Sequence, residues 1–125
     1  EAAQGRFFEE SLLKRLTELK IRLEALDSTA LRLLTRFDAG GSIGAEPSML
    51  KLQGSQLVQE MDRIAYELVG YAGMPLDSVM RAGEPIGPSY ADMIASGMFH
   101  HRGFTIAGGT SEIQHNIIAK QVLGL

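Results

Sequence analysis

Apolar residues fall along this chain in blocks of helical spacing, separated by glycine- and proline-rich breaks. Residues 1–10 form a weakly patterned lead-in with Phe7 and Phe8. From Ser11, Leu12, Leu16, Leu19, Leu23, Leu26, Leu33, Leu34 and Phe37 recur at steps of three and four, which is one face of a helix. Lys14, Arg15, Glu18, Lys20, Arg22 and Glu24 fill the solvated face. Glu18 and Arg22 stand at i,i+4, where an ion pair supports a helix by about 0.3 kcal/mol. Gly40-Gly41-Ser42 predicts the stop, because glycine supplies the left-handed conformation of a helix end. A second helix is predicted after Pro47, which suits a first helical turn. Met49, Leu50, Leu57, Met61, Ile64, Ala65 and Leu68 form its apolar stripe, and Gly70 closes it. Gly54 inside that stripe costs about 1 kcal/mol relative to alanine and is expected to let two helices approach closely. Residues 71–88 are rich in proline and glycine and read as a long mobile loop. A third helix is predicted from Ser89 to about Arg102, and a fourth from about Ser111 to Leu123. Without strand-like alternation or internal repeats, the pattern predicts an all-α antiparallel four-helix bundle.

The last block, IAGGTSEIQHNIIAKQVLGL, sets two glycines and two hydroxyl residues directly before a helix start. Ser111-x-x-Gln114 fits a capping box, with the serine oxygen accepting from the backbone and the glutamine returning to the cap. Gly108 and Gly109 leave backbone N–H groups unshielded at the positive end of that helix, a geometry that suits a phosphate, a carbonyl oxygen or an electron-rich heterocycle. Spacing alone favours the plain cap over the ligand site.

Composition narrows the chemistry. The 125 residues carry a net charge of −3, with 45% hydrophobic and 22% charged residues, as in one ordinary globular domain. Lysine and arginine are scattered, so nucleic-acid binding has no electrostatic footprint. Cysteine is absent, which removes disulfides, Cys-zinc sites and thiol nucleophiles from these residues. No apolar run reaches membrane-spanning length and no signal-peptide pattern opens the chain, so a cytoplasmic protein is expected. The first residue is Glu1 rather than Met, which reads as a piece of a longer polypeptide. His100 and His101 are adjacent, so on a helix they diverge by about 100°, and His115 falls on a polar face. All three read as surface or satisfied histidines, and no metal site is expected. No nucleophile elbow, P-loop or GxGxxG pattern occurs, no carboxylate stands out as a base, and the six methionines read as core fillers. No residue is therefore assigned as catalytic.

The closing block resembles the C-terminal signature of the acyl-CoA dehydrogenase family. RLTELKIRLEALDSTALRLL and EPSMLKLQGSQLVQEMDRIAYELVG are similar to two long helices of that family's C-terminal domain. The resemblance covers nearly all of the chain from Leu13 onward. It implies that residues 1–125 are a single C-terminal helical domain, with the family's N-terminal helical domain and middle β-domain lying outside it. It also implies FAD as cofactor, an acyl-CoA substrate dehydrogenated between its α and β carbons, a homodimer or homotetramer built through this domain, and an electron-transfer partner. Position by position, Thr110, Ser111 and Glu112 match the stretch that contacts the flavin. Gly109 matches the glycine lying against the acyl thioester, and Gly108 adjoins it. Glu67, Gly70, Tyr71 and Gly73 align with a Gln-x-x-Gly-Gly-x-Gly loop that reaches the ADP part of a neighbouring subunit's FAD. Glu67 replaces the glutamine and Tyr71 the second glycine; a carboxylate repels a pyrophosphate, and a tyrosine blocks close backbone approach.

Gly108 departs furthest from the family pattern. Many members carry there the glutamate that removes the substrate's α-proton. The resemblance therefore implies a base on an earlier helix, as in a family subset. Two alternatives stay open. One is a non-catalytic assembly subunit that pairs with a catalytic one. The other is a flavin monooxygenase or nitroalkane oxidase of the same fold.

Overall fold

The computed structural model describes residues 2–74 and 88–125, with side chains from residue 9 onward. Two long antiparallel helices dominate, α1 (Ala2–Asp38) and α2 (Glu46–Val69). Ion pairs towards both ends mark their antiparallel register. Near the start of α1, Arg15 meets Glu60 at 3.2 Å and also Glu67, both late in α2. At the other end Arg36 meets Glu46 at 3.0 Å. Along the polar face of α1 the i,i+4 ion pair is Lys20–Glu24 at 3.8 Å, offset from the Glu18–Arg22 pair that spacing suggested.

α1 starts nine residues before Ser11, inside the lead-in that carried no clear pattern. Apolar periodicity reports burial, whereas Ala2, Ala3, Gln4, Glu9 and Glu10 are good helix formers whether buried or not. Its apolar positions then split into two stripes. Leu12, Leu19 and Leu26, seven residues apart, pack with Leu57 and Ile64 of α2. Leu13, Leu16, Leu23, Leu34 and Phe37 stay exposed. The glycine stop is as expected: Gly40 has φ +78°, and the N–H groups of Gly40 and Gly41 reach the carbonyls of Phe37 and Arg36, each at 2.9 Å.

α2 opens with Pro47 in its first turn and is the hub of the fold. α1 packs on one side of it, while α3 (Ile94–Arg102) and α4 (Ser111–Ile118) pack elsewhere on its surface. The architecture is all-α with four helices and no strand among the described residues. Gly54 does not work as the spacing suggested, since a Cβ there would meet Leu26 Cδ2 at an ordinary 3.8 Å. It instead lines an open cavity of about 360 Å³ with Lys51, Ser55, Val58, Phe104 and Ala107.

The third helix is shorter than its pattern. Ser89–Ala91 forms a 3-10 turn, and regular α-helix starts only at Ile94. α4 continues into a wider π turn over Ala119–Leu123, ended by Gly124 at φ +70°. Of the 71–88 segment, residues through Gly73 extend α2 as a 3-10 turn; residues 75–87, and with them the expected mobility, lie outside the described residues. None of the described helices is long and apolar enough to cross a membrane.

Candidate functional site: a glycine turn at the start of the last helix

From Arg102 the chain passes through a 3-10 turn at Gly103–Thr105 and then turns back on itself. The N–H groups of Ile106 and Ala107 both reach the Gly103 carbonyl, at 3.0 and 2.8 Å. Lys51 of α2 donates to the Thr105 carbonyl at 3.3 Å, tying this turn to the hub. Gly108 and Gly109 follow at φ +70° and +98°, where side-chain-bearing residues are strained. The two glycines differ in their surroundings. A Cβ on Gly109 would sit 2.7 Å from Gln114 Nε2, whereas one on Gly108 would meet nothing within 4 Å.

The cap is Thr110, not Ser111. Thr110 is extended, with ψ 162°, and its hydroxyl accepts from the Ile113 N–H at 3.3 Å. The helix begins one residue earlier than the capping-box spacing implies, so Ser111 is already helical. Gln114 is then carried to the buried face instead of back to the cap. It is 7% exposed, and its Nε2 donates to the Gly108 carbonyl at 2.9 Å. That bond closes the turn from inside.

Glu112 lies in the first turn of α4. Its carboxylate is held below its ordinary pKa, chiefly by its own backbone N–H, then by the Thr110 hydroxyl, with smaller help from His115 and Lys51. The positive end of the helix thus already carries a resident negative charge. A second anion would be repelled there, while a neutral acceptor such as a carbonyl oxygen would not.

The second segment singled out in the sequence lies at the far end of α2. Gly70 takes φ +56° as the helix ends. Gly73 is buried, and a Cβ on it would touch Val69 Cγ1 at 3.3 Å. Tyr71 is 85% exposed. The Glu67 carboxylate turns towards α1 and accepts from both terminal nitrogens of Arg15, Nη1 and Nη2, the longer contact being 3.3 Å. The first segment touches α2 at Lys51 and the second starts at Glu67. At the α-helical rise they are separated by about 24 Å along the axis, so one chain does not bring the two together.

The histidines hold no shared ligand. His101 Nδ1 lies 2.9 and 3.1 Å from the two Asp62 carboxylate oxygens, with its ring 4.9 Å from that of Phe104. His100 and His115 are exposed. Among the described residues no group of three or more His, Asp or Glu side chains is placed to hold a metal ion.

A family model described as "Acyl-CoA dehydrogenase, C-terminal domain" matches residues 3–123. The chain belongs to the acyl-CoA dehydrogenase family. No curated protein and no solved structure matches it. Within this acyl-CoA dehydrogenase domain, the pattern missed Lys51 and gave Gln114 the wrong partner, the cap instead of the Gly108 carbonyl. Gln114 left a signal, since it stands three and four residues before Ile117 and Ile118 and so shares their half-buried face. Lys51 left none, because its carbonyl partner lies 54 residues away in the chain.

Proposed function

We propose that this chain is the flavin-facing and assembly domain of an FAD-dependent acyl-CoA dehydrogenase, with the catalytic base outside these residues. The observation that carries the reading is the open, side-chain-free turn at Gly108–Gly109 immediately before the capped start of α4. A flat ring edge or a thioester carbonyl can approach such a backbone closely, and the first N–H groups of a helix have no carbonyl of their own to meet. The charge on Glu112 favours a neutral acceptor there over a phosphate, which fits an isoalloxazine edge and a thioester better than a pyrophosphate. In this reading Thr110, Ser111 and Glu112 face the flavin, and Gly108 and Gly109 face the thioester.

FAD, when bound, would take the hydride leaving the substrate's β-carbon. The chain's own residues would bind and orient. The α-proton needs an acceptor in the same step, and Gly108 has no side chain to offer one. The base is accordingly assigned to another part of the polypeptide. Glu67, Gly70, Tyr71 and Gly73, about 24 Å away along α2, would serve a flavin held by a neighbouring subunit. The Arg15 contact supports that role by offsetting the Glu67 charge.

The test is to purify the full-length protein and measure bound FAD and bleaching of its absorbance on adding acyl-CoA. Flavin with acyl-CoA-dependent bleaching is expected; absence of both overturns the reading. The bare Gly108 also favours a second reading, a non-catalytic assembly subunit. It predicts that the full-length chain carries no Asp or Glu reaching the space in front of Gly108, and that bleaching appears only when a catalytic subunit is added.

A further inference from the structure

The Thr110 cap and Gln114 set the shape of the glycine turn, but they do not set its place against α2. That place depends on the segment leading into it, residues 101–107. No residue from Arg102 to Ala107 is buried, and the open cavity of about 360 Å³ beside Gly54 lies against Phe104 and Ala107. The close packing that fixes a buried segment is therefore missing, and polar contacts to α2 take its place. Going back along α2, Asp62 meets the His101 imidazole, Gln59 donates to the His101 carbonyl and accepts from Arg102, and Lys51 donates to the Thr105 carbonyl. The Gln59 and Lys51 contacts span 3.3 to 3.4 Å, longer than an ordinary hydrogen bond. The Asp62 contact is the short one. His101 Nδ1 lies 2.9 and 3.1 Å from the two carboxylate oxygens, and the Asp62 side chain is only 16% exposed. A carboxylate only accepts, so Nδ1 carries the hydrogen, and such a bond is about twice as strong as one between neutral groups.

We propose that Asp62 and His101 form a positioning pair for the glycine turn. Asp62 acts through His101 to hold the Gly108–Gly109 backbone at the height where it meets its ligand. The path is short. The His101 ring lies 4.9 Å from that of Phe104, and Phe104 borders the cavity together with Ala107. The Gly103 carbonyl accepts from both Ile106 and Ala107, so Phe104 to Ala107 form one closed turn that leads into Gly108. With an open cavity against it, that turn has room to shift towards Gly54, and the Asp62 bond to His101 opposes the movement. Chemistry at a thioester feels such a shift, because a misplacement of about 1 Å costs about a hundredfold in rate. This inference rests on the reading that the turn faces a flavin and a thioester.

Asp62→Leu and Asp62→Asn in the full-length protein test it. Leucine removes the acceptor at similar volume, while asparagine keeps an oxygen for the Nδ1 hydrogen. The first readout is hydrogen exchange of the backbone amides of residues 103–110, followed by mass spectrometry without acyl-CoA. Exchange about tenfold faster than wild type is expected in Asp62→Leu, and near wild type in Asp62→Asn. The second readout is the rate constant of flavin bleaching at saturating acyl-CoA, taken per bound flavin. It should fall about tenfold or more in Asp62→Leu and stay within about twofold in Asp62→Asn. Circular dichroism checks folding. His101→Leu, which removes the donor from a partly exposed position, should match Asp62→Leu in both readouts and replaces it if that variant does not fold. Unchanged exchange in Asp62→Leu would overturn the proposal. So would faster exchange with unchanged bleaching, which leaves Asp62 a purely structural residue, or an Asp62→Asn protein that behaves like Asp62→Leu. A wild-type protein without flavin would instead sink the function proposed above, and the exchange comparison would then decide the pair alone.

Discussion

The turn that ends α2 and the turn that opens α4 both use left-handed glycine, and they are held in opposite ways. The turn at Gly70–Gly73 is secured from outside, by Arg15 of α1 gripping Glu67 just before it. The turn at Gly108–Gly109 is secured from within its own helix, by the Thr110 cap and the Gln114 side chain. A turn held from outside inherits its shape from the packing of α1 on α2. A turn held by its own helix keeps its shape while its outer face stays open, which is what a backbone meant to touch a ligand requires.

The sharpest way to break this contrast is to add one methyl group to each turn. Gly109→Ala forces a side chain into the left-handed region and onto Gln114 Nε2, and should destabilise the protein by about 3 kcal/mol. Gly73→Ala meets Val69 Cγ1 at 3.3 Å and Val69 Cβ at 3.4 Å, with no left-handed strain, and should destabilise by about 1 kcal/mol. Urea unfolding of both variants measures the gap; equal effects would remove the distinction. Next in size, Gln114→Leu keeps the volume but leaves the Gly108 carbonyl unpaired, at about 2 kcal/mol. Bound flavin should fall with it, whereas a purely structural glutamine would lower stability and leave flavin content per folded molecule unchanged.

Thr110→Val removes the cap and should lose about 1 kcal/mol at neutral pH. It also carries a pH signature. The folded-state pKa of Glu112 lies below its ordinary value of 4.5, so its contribution is complete above 4.5 and is lost as the pH falls through the lowered value. Because the Thr110 hydroxyl is one cause of that shift, the stability gap between the variant and the wild type should narrow below pH 4.5, as followed by thermal unfolding at stepped pH. The smallest effect belongs to the other turn. Arg15→Gln frees the Glu60 and Glu67 carboxylates at a partly exposed site and should give the smallest loss in urea unfolding of these variants, smaller still in high salt.

The parts legible in the sequence were those that depend on local spacing. Leu12, Leu19 and Leu26 marked α1, Pro47 marked the start of α2, and Gly40 and Gly70 marked the two ends, because each acts within a few residues of itself. Family membership was legible in the closing block for the same reason. The illegible parts depended on distant partners or on one-residue shifts of register. Periodicity could not tell which of the two leucine stripes of α1 meets α2, since both repeat at helical steps. Ser111-x-x-Gln114 satisfied a capping rule that Thr110 pre-empted by a single position. The grip of Arg15 on Glu67 spans 52 residues, and no local rule foretells which carboxylate a distant arginine selects.

The central position of α2 has a mechanical consequence. α1 makes no packing with α3 or α4 comparable to that with α2, so a force applied to α1 travels to the glycine turn chiefly along one shaft. That shaft bears on the turn through the Lys51–Thr105 contact and the flank of α4. Leu57 and Ile64 of that shaft, each only 2% exposed, are seated against Leu19 of α1. A load on α1 would therefore set the turn at a fixed height, as a spacer does, rather than bend it.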